Sequence, residues 1–207
     1  ILSQLMDNLY TGSRQLRFLQ ELSLGIGGVR ILEKADINYD ILHINEGHAA
    51  FALLERARIY AQQNNVNIYN SMEILSKTNV FTTHTPVIHG NEEFDIKLLK
   101  KYISKYIENI DISFDDFINI GKSKNISKNV FSMTAFAINL SEKINGVSKL
   151  HSETANLMWK DLLFKQNKKI VPVTNGIHFK SWISGELANF LNIDSNKNII
   201  ETLNKIS

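Results

Sequence analysis

Side chains that can bind or polarise a substrate directly follow four predicted strands of this sequence. Histidine and asparagine offer neutral hydrogen-bond donors and acceptors, which suit a ligand with many hydroxyl groups. These residues are Asn45, Glu46 and His48 after the first strand, His84 after the second, His151 after the third and Asn175 after the fourth. Because ligands of open α/β sheets bind outside the carboxyl ends of the strands, we expect these side chains to belong to one site.

His84 is the strongest candidate among the six histidines. It directly follows the predicted buried strand Asn79–Thr83 and precedes Thr85-Pro86. The proline biases the preceding backbone away from helix, so the turn can fix an imidazole and its neighbouring carbonyls at a crevice. A structural hydrogen-bonding role is the alternative interpretation of such a histidine.

Other chemistries have weaker support. His43, Glu46 and His48 form H-x-x-E-x-H, which lacks the four-residue histidine spacing of helical zinc sites, and the chain has no cysteine. We therefore expect no metal site. A G-x-S-x-G nucleophile elbow is absent, and the adjacent carboxylates at Glu92-Glu93 and Asp115-Asp116 are typical of a solvated surface.

The elements that must position these residues alternate between strands and helices, which predicts an α/β fold with a Rossmann-like, mostly parallel sheet. A polar stretch from Asn91 to Asn129, with helical patches, is expected to form an outer excursion. The predicted strands are Tyr39–Ile44, Asn79–Thr83, Gly146–Leu150 and Lys169–Val173, and the predicted helices are Arg14–Ala35, Ala49–Gln62 and a segment running from His151 to Phe164.

Gly25, Gly27 and Gly28 resemble a phosphate-binding loop only superficially. No strand precedes them, and apolar residues at helical spacing continue through them. The pattern therefore favours glycines that permit close packing of a helix.

The composition is that of a globular protein, with 43% hydrophobic and 21% charged residues. A net charge of +2 with interspersed signs disfavours nucleic-acid binding. The apolar runs are too short to cross a bilayer, and the first residues carry no basic leader. We therefore expect a cytoplasmic protein, and the absence of cysteine is compatible with a reducing compartment.

Four stretches resemble signature segments of the α-glucan phosphorylases, in the same order. They are Leu42–Phe51 (LHINEGHAAF), Val80–Val87 (VFTTHTPV), Asn145–Glu153 (NGVSKLHSE) and Val173–Ile177 (VTNGI) with Trp182. The likeness is closest to the shorter bacterial type. It implies part of a glycosyltransferase with two Rossmann-like domains (GT-B type). Residues 1–175 would be the C-terminal portion of the glucan-side domain, and residues 176–207 would begin the cofactor-side domain.

The resemblance also implies an activity, phosphorolysis of α-1,4-glucans by inorganic phosphate to glucose 1-phosphate with retention. His84 would bind the 6-hydroxyl of the reacting glucose, and Asn175 would bind the same hydroxyl. Trp182 would pack near pyridoxal 5′-phosphate, the family's cofactor. Asn45, Glu46, His48 and His151 would line the substrate side of the cleft.

In this family the glycine-rich phosphate loop lies upstream of the matching region and the Schiff-base lysine lies downstream, so neither is expected in this chain. The isolated chain is therefore expected to be inactive. Two alternatives remain open: a starch or glycogen synthase-like enzyme, and a non-catalytic glucan-binding module on the same scaffold. The resemblance further implies a homodimer, for which the sequence identifies no surface.

Overall fold

The computed structural model describes residues 5, 13–87 and 90–190, without the side chains of Phe179 and Lys180. The chain forms two compact units, Ile1–Thr174 and Asn175–Ser207. The strands are β1 (Leu42–Asn45), β2 (Asn79–Thr83), β3 (Glu93–Asp95), β4 (Val130–Ser132), β5 (Lys143–Gly146) and β6 (Ile170–Pro172).

The α-helices of the first unit lie mainly between these strands. They are α1 (Arg14–Leu22), α2 (Gly28–Lys34), α3 (Phe51–Asn64), α4 (Ile68–Ser76), α5 (Ile96–Glu108), α6 (Phe114–Ile120), α7 (Met133–Leu140), α8 (Lys149–Met158) and α9 (Lys160–Lys165). The second unit contributes α10 (Phe179–Trp182) and α11 (Gly185–Phe190). No helix in the described ranges combines the length and the apolar character needed to span a membrane.

A four-stranded parallel sheet organises the first unit, in the order β1-β2-β5-β6. This confirms the predicted α/β class. The order advances steadily in one direction, so right-handed crossovers place the connecting helices on one face of the sheet. Burial agrees, because Ile44, Phe81 and Ile144 are buried in the core while His43 and Val171, on the opposite face, are exposed.

The segment from Asn91 to Asn129 is not an outer excursion, so that prediction was wrong. Its apolar residues complete the core: Phe94, Leu99, Ile103 and Phe117 are at most 1% exposed. Phe94 packs edge-on against Phe18 of α1, with ring centroids 5.0 Å apart. The segment also begins with β3, which pairs antiparallel with β4, and strands of three residues are too short to show a period in the sequence.

The third predicted strand was displaced along the sequence. The strand is Lys143–Gly146 and not Gly146–Leu150, because Ser148 caps α8 through its Oγ, which accepts the His151 N–H at 3.1 Å. The helix predicted to reach Phe164 is interrupted at Trp159, where α8 ends and α9 follows.

The predicted helix from Arg14 to Ala35 is continuous except for a π-helical turn at Ser23–Gly27, between α1 and α2. Gly25 lies inside this turn against α3. A Cβ on Gly25 would approach Ala52 N and Phe51 Cβ to 2.8 Å, whereas a Cβ on Gly28 would meet nothing within 4 Å. Close packing therefore explains Gly25 but not Gly27 or Gly28.

Gly25→Ala should destabilise the chain by about 1–3 kcal/mol, because the added methyl group overpacks the contact with α3. Gly28→Ala is the matched control and should be neutral or stabilising by up to about 1 kcal/mol, since alanine is the better helix former. Urea unfolding of the 207-residue chain measures both changes. Equal effects of the two substitutions would contradict the packing explanation.

Candidate functional site

Asn45, at the end of β1, and His84, just after β2, meet at the carboxyl edge of the sheet. Asn45 Oδ1 lies 2.6 Å from His84 Nε2. Because Oδ1 can only accept, Nε2 carries the hydrogen in this contact, and Nδ1 of the neutral ring is left as an acceptor. The His84 side chain is exposed, so Nδ1 can accept a hydrogen bond from a ligand hydroxyl.

Glu46 fixes the backbone of the same turn. Its carboxylate oxygen Oε1 accepts the backbone N–H of His84 and the Thr85 hydroxyl, the latter at 3.1 Å. The Glu46 N–H donates to Thr82 O at 2.8 Å, which ties the residue to β2. Glu46 adopts φ = 61° and ψ = 178°, a region that glycine alone occupies readily. The side chain thus holds its contact with His84 from a strained backbone.

A second row of polar side chains crosses the face of the sheet opposite Ile44 and Phe81. The sequence analysis missed Thr82 and Asn145. Thr82 Oγ1 donates to Asn145 Oδ1 at 2.7 Å and lies 2.7 Å from His43 Nε2. Asn45, Thr82 and Asn145 are in register on adjacent strands. Alternation along β1 could have placed His43 beside Asn45, but the register between strands is not visible in the sequence.

His151 lies in the first turn of α8, behind the end of β5. The residue is 7% exposed, and its two ring nitrogens contact no hydrogen-bond partner among the described residues. Gly146 allows this approach, because a Cβ there would lie 2.7 Å from His151 Nδ1. The buried hydroxyls of Thr83 and Ser152 are likewise unpartnered. His151 therefore belongs to a buried polar group at this edge, and its contact with substrate stays a prediction.

His48 points into an ion-pair cluster and not toward His84. Its Nδ1 lies 2.6 Å from Arg17 Nη2 and 3.2 Å from Glu21 Oε1. Ligand atoms of Glu21, His48 and Glu92 lie within 4.8 Å of one another, a spacing that a metal ion could use. Arg17, however, contacts all three residues and supplies the positive charge itself. Burial raises the pKa of Glu21, partly offset by its hydrogen bond to His48.

Two predicted site residues, Asn175 and Trp182, belong to the second unit. Both are exposed there, and Trp182 is the last residue of α10. Their roles beside the substrate and cofactor stay predictions. His89, the nearest histidine to His84 in sequence, lies outside the described residues.

Glu46→Gly should give a more stable protein than Glu46→Ala, by about 1 kcal/mol, although glycine ordinarily destabilises folded chains. Both substitutions remove the carboxylate, but only glycine relieves the positive φ. Lys77, exposed at φ = −64°, is the control position, where alanine should be the more stable substitution. Urea unfolding of the four variants measures the two differences in stability. If Glu46→Ala were more stable than Glu46→Gly, the backbone strain at Glu46 would be contradicted.

The sequence pattern of the Carbohydrate phosphorylase family matches residues 32–207. The chain is 36% identical over 184 residues to maltodextrin phosphorylase of Thermococcus litoralis, covering 87% of this chain and 21% of the relative. It is 30% identical over 198 residues to glycogen phosphorylase of Mycobacterium tuberculosis, covering 87% and 22%. Glycogen phosphorylase of Aquifex aeolicus is 27% identical over 213 residues, covering 98% and 30%.

The chain thus spans between 21% and 30% of the length of these relatives. The matched region contains the whole strand-edge arrangement of Asn45, Glu46 and His84. Because the family pattern covers most of the sequence, the chain belongs to the carbohydrate phosphorylase family.

Proposed function

We propose that the whole protein is an α-glucan phosphorylase, which cleaves α-1,4-linked glucose units with inorganic phosphate and releases glucose 1-phosphate with retention. The observation that carries the proposal is the turn at His84, whose imidazole and backbone are each held by a separate side chain. Family membership and the names of the relatives, maltodextrin and glycogen phosphorylase, support the same reaction.

In this proposal His84 orients the reacting glucosyl unit. Asn45 holds Nε2–H, so that Nδ1 can accept a hydrogen bond from the 6-hydroxyl group, and Glu46 holds the backbone of the turn. A group fixed in advance by two contacts loses little freedom when substrate binds, which favours positioning in the transition state. Asn175 would bind the same hydroxyl, as the family resemblance implies, and Asn145 and Thr82 are additional polar groups beside Asn45.

The cofactor of the proposed enzyme is pyridoxal 5′-phosphate, whose phosphate group supplies proton transfer when it is bound. Lys168 does not fit its covalent attachment, because its amine is already engaged. Burial lowers the pKa of Lys168 to about 8, but Lys168 Nζ donates to Ile138 O and Asn139 O at the end of α7. We infer that parts of the protein outside these 207 residues hold the cofactor, with Trp182 packing near it.

We further propose that residues 1–175 complete the glucan-side domain and that residues 176–207 begin the cofactor-side domain. The protein would act in the cytoplasm as a homodimer. The length of the relatives supports a larger protein, since this chain matches at most 30% of the relatives compared above.

The complete protein should convert maltodextrin and phosphate to glucose 1-phosphate in the presence of pyridoxal phosphate. The 207-residue chain alone should form no product and no borohydride-trappable adduct with the cofactor, because the proposed enzyme would carry its attachment lysine outside this chain. Coupled assay of glucose 1-phosphate and mass spectrometry check the two statements. Transfer from a nucleotide sugar without phosphorolysis would favour a synthase, and glucan binding without either reaction would favour a binding module.

His84→Ala in the complete enzyme should lower kcat and kcat/KM together by about two to three orders of magnitude, equivalent to about 3–4 kcal/mol. The reason is that the lost hydrogen bond strengthens as the glycosidic bond breaks. Steady-state kinetics with maltodextrin measure the change. His89→Ala is the control and should retain activity. A folded His84→Ala enzyme with near-normal kcat would leave His84 a structural role only.

A further inference from the structure

Arg17 of α1 is the centre of a charge cluster that reaches the turn after β1. Its Nη2 lies 2.6 Å from His48 Nδ1, and its Nε lies 3.1 Å from Glu21 Oε1 and 3.3 Å from Glu92 Oε2. The side chains of Arg17 and Glu21 are 11% and 1% exposed. An ion pair at this depth is sensitive to the loss of either partner, since the remaining charge would be buried alone.

The same turn is clamped from its other side by α7. A Cβ on Gly47 would lie 2.8 Å from Met133 Cβ, so Gly47 packs directly against the first residue of that helix. Met133 N–H in turn donates to Glu92 O at 3.0 Å. Glu92 therefore serves both sides, because its carbonyl anchors α7 and its carboxylate anchors Arg17.

Glu46 lies between these restraints and the site. It directly precedes Gly47 and His48 in the chain, it holds a conformation with φ = 61°, and its carboxylate accepts the His84 N–H. A strained backbone persists only where its surroundings determine it. The contacts of Gly47 and His48 provide that determination immediately after Glu46 in the chain.

We propose that Arg17 is a positioning residue for the phosphorolytic reaction, acting through His48 and Glu46 on His84. The expected effect of Arg17 on rate rests on the proposed function, whereas its effect on the structure of the turn does not depend on any activity. Arg17 itself touches neither His84 nor a ligand in this scheme. It holds the turn in the arrangement in which Glu46 reaches the His84 backbone.

The structural effect is measured by hydrogen exchange of the His84 amide in the complete protein. Arg17→Met should accelerate this exchange about tenfold, because the hydrogen bond to Glu46 opens more often. Arg58→Met is the matched control, since Arg58 also pairs within its helix with a buried glutamate, at 2.7 Å from Glu55. Its effect at His84 should stay within about twofold. His48→Ala, at a half-exposed side chain, should reproduce the change if Arg17→Met does not fold.

The effect on rate is measured by a double-mutant cycle. Arg17→Met alone should lower kcat about 10- to 100-fold, as expected for a misplaced orienting group. In a His84→Ala background the same substitution should lower kcat only about twofold, because both substitutions remove the same orienting function. Additive losses in an active enzyme, or unchanged exchange at His84 in both Arg17→Met and His48→Ala, would overturn the positioning role. Absence of phosphorolysis by the unmodified protein would instead contradict the proposed function, and the exchange measurement would still decide the structural claim.

Discussion

The contact between the Glu46 carboxylate and the His84 amide is the constraint around which the strand-edge site is built. It joins the turns after two neighbouring parallel strands, next to the backbone hydrogen bond from the Glu46 N–H to Thr82 O. Glu46 makes this contact from a backbone with positive φ, so fixing the direction of His84 costs conformational free energy at Glu46. Asn45 adds the second restraint by holding the imidazole itself. The backbone and the ring of one histidine are therefore set by two adjacent residues of β1 and its turn.

The two buried glutamates among the described residues, Glu21 and Glu55, each contact more than one donor group. Glu55, which is fully buried, accepts from Arg30, Arg58 and the Tyr106 hydroxyl. These hydrogen bonds outweigh the desolvation of Glu55 and lower its pKa, while burial and the neighbouring carboxylate raise the pKa of Tyr106. At Glu21 the balance is reversed, because desolvation dominates and raises its pKa. Of the two glutamates, Glu21 is thus the one whose ionised form is less well supported.

Sequence alone predicted the elements that carry a strong local signal. The strand Asn79–Thr83 was located without error, because its apolar run ends at a proline turn. The early helix was predicted through three glycines because its apolar spacing continued. By contrast, the predicted position of β5 was wrong, because its polar residues Lys143 and Asn145 hide the pattern of a strand whose other face is buried. The Asn91–Asn129 segment was predicted to lie outside the core because its polar residues outnumber the apolar residues that are buried. The positive φ of Glu46, the partners of His48 and the register of Thr82 with Asn145 depend on contacts distant in sequence, so no local pattern could reveal them.

The π-helical turn at Ser23–Gly27 has a consequence for the angular phase of the long helix. Such a turn accommodates one residue more than an α-helical path would, so it is equivalent to a single inserted residue. Each residue advances an α-helix by about 100°, so the residues after the turn face directions about 100° away from those that an uninterrupted α-helix of the same sequence would give them. Arg17 before the turn faces the β1 loop, and Arg30 after it faces Glu55 on α3. If Ser23–Gly27 formed an ordinary α-helical turn with the same residues, Arg30 would be rotated by about 100° away from Glu55 while Arg17 kept its partners. The π-helical conformation of this short segment therefore sets the direction in which the second half of the helix presents its side chains.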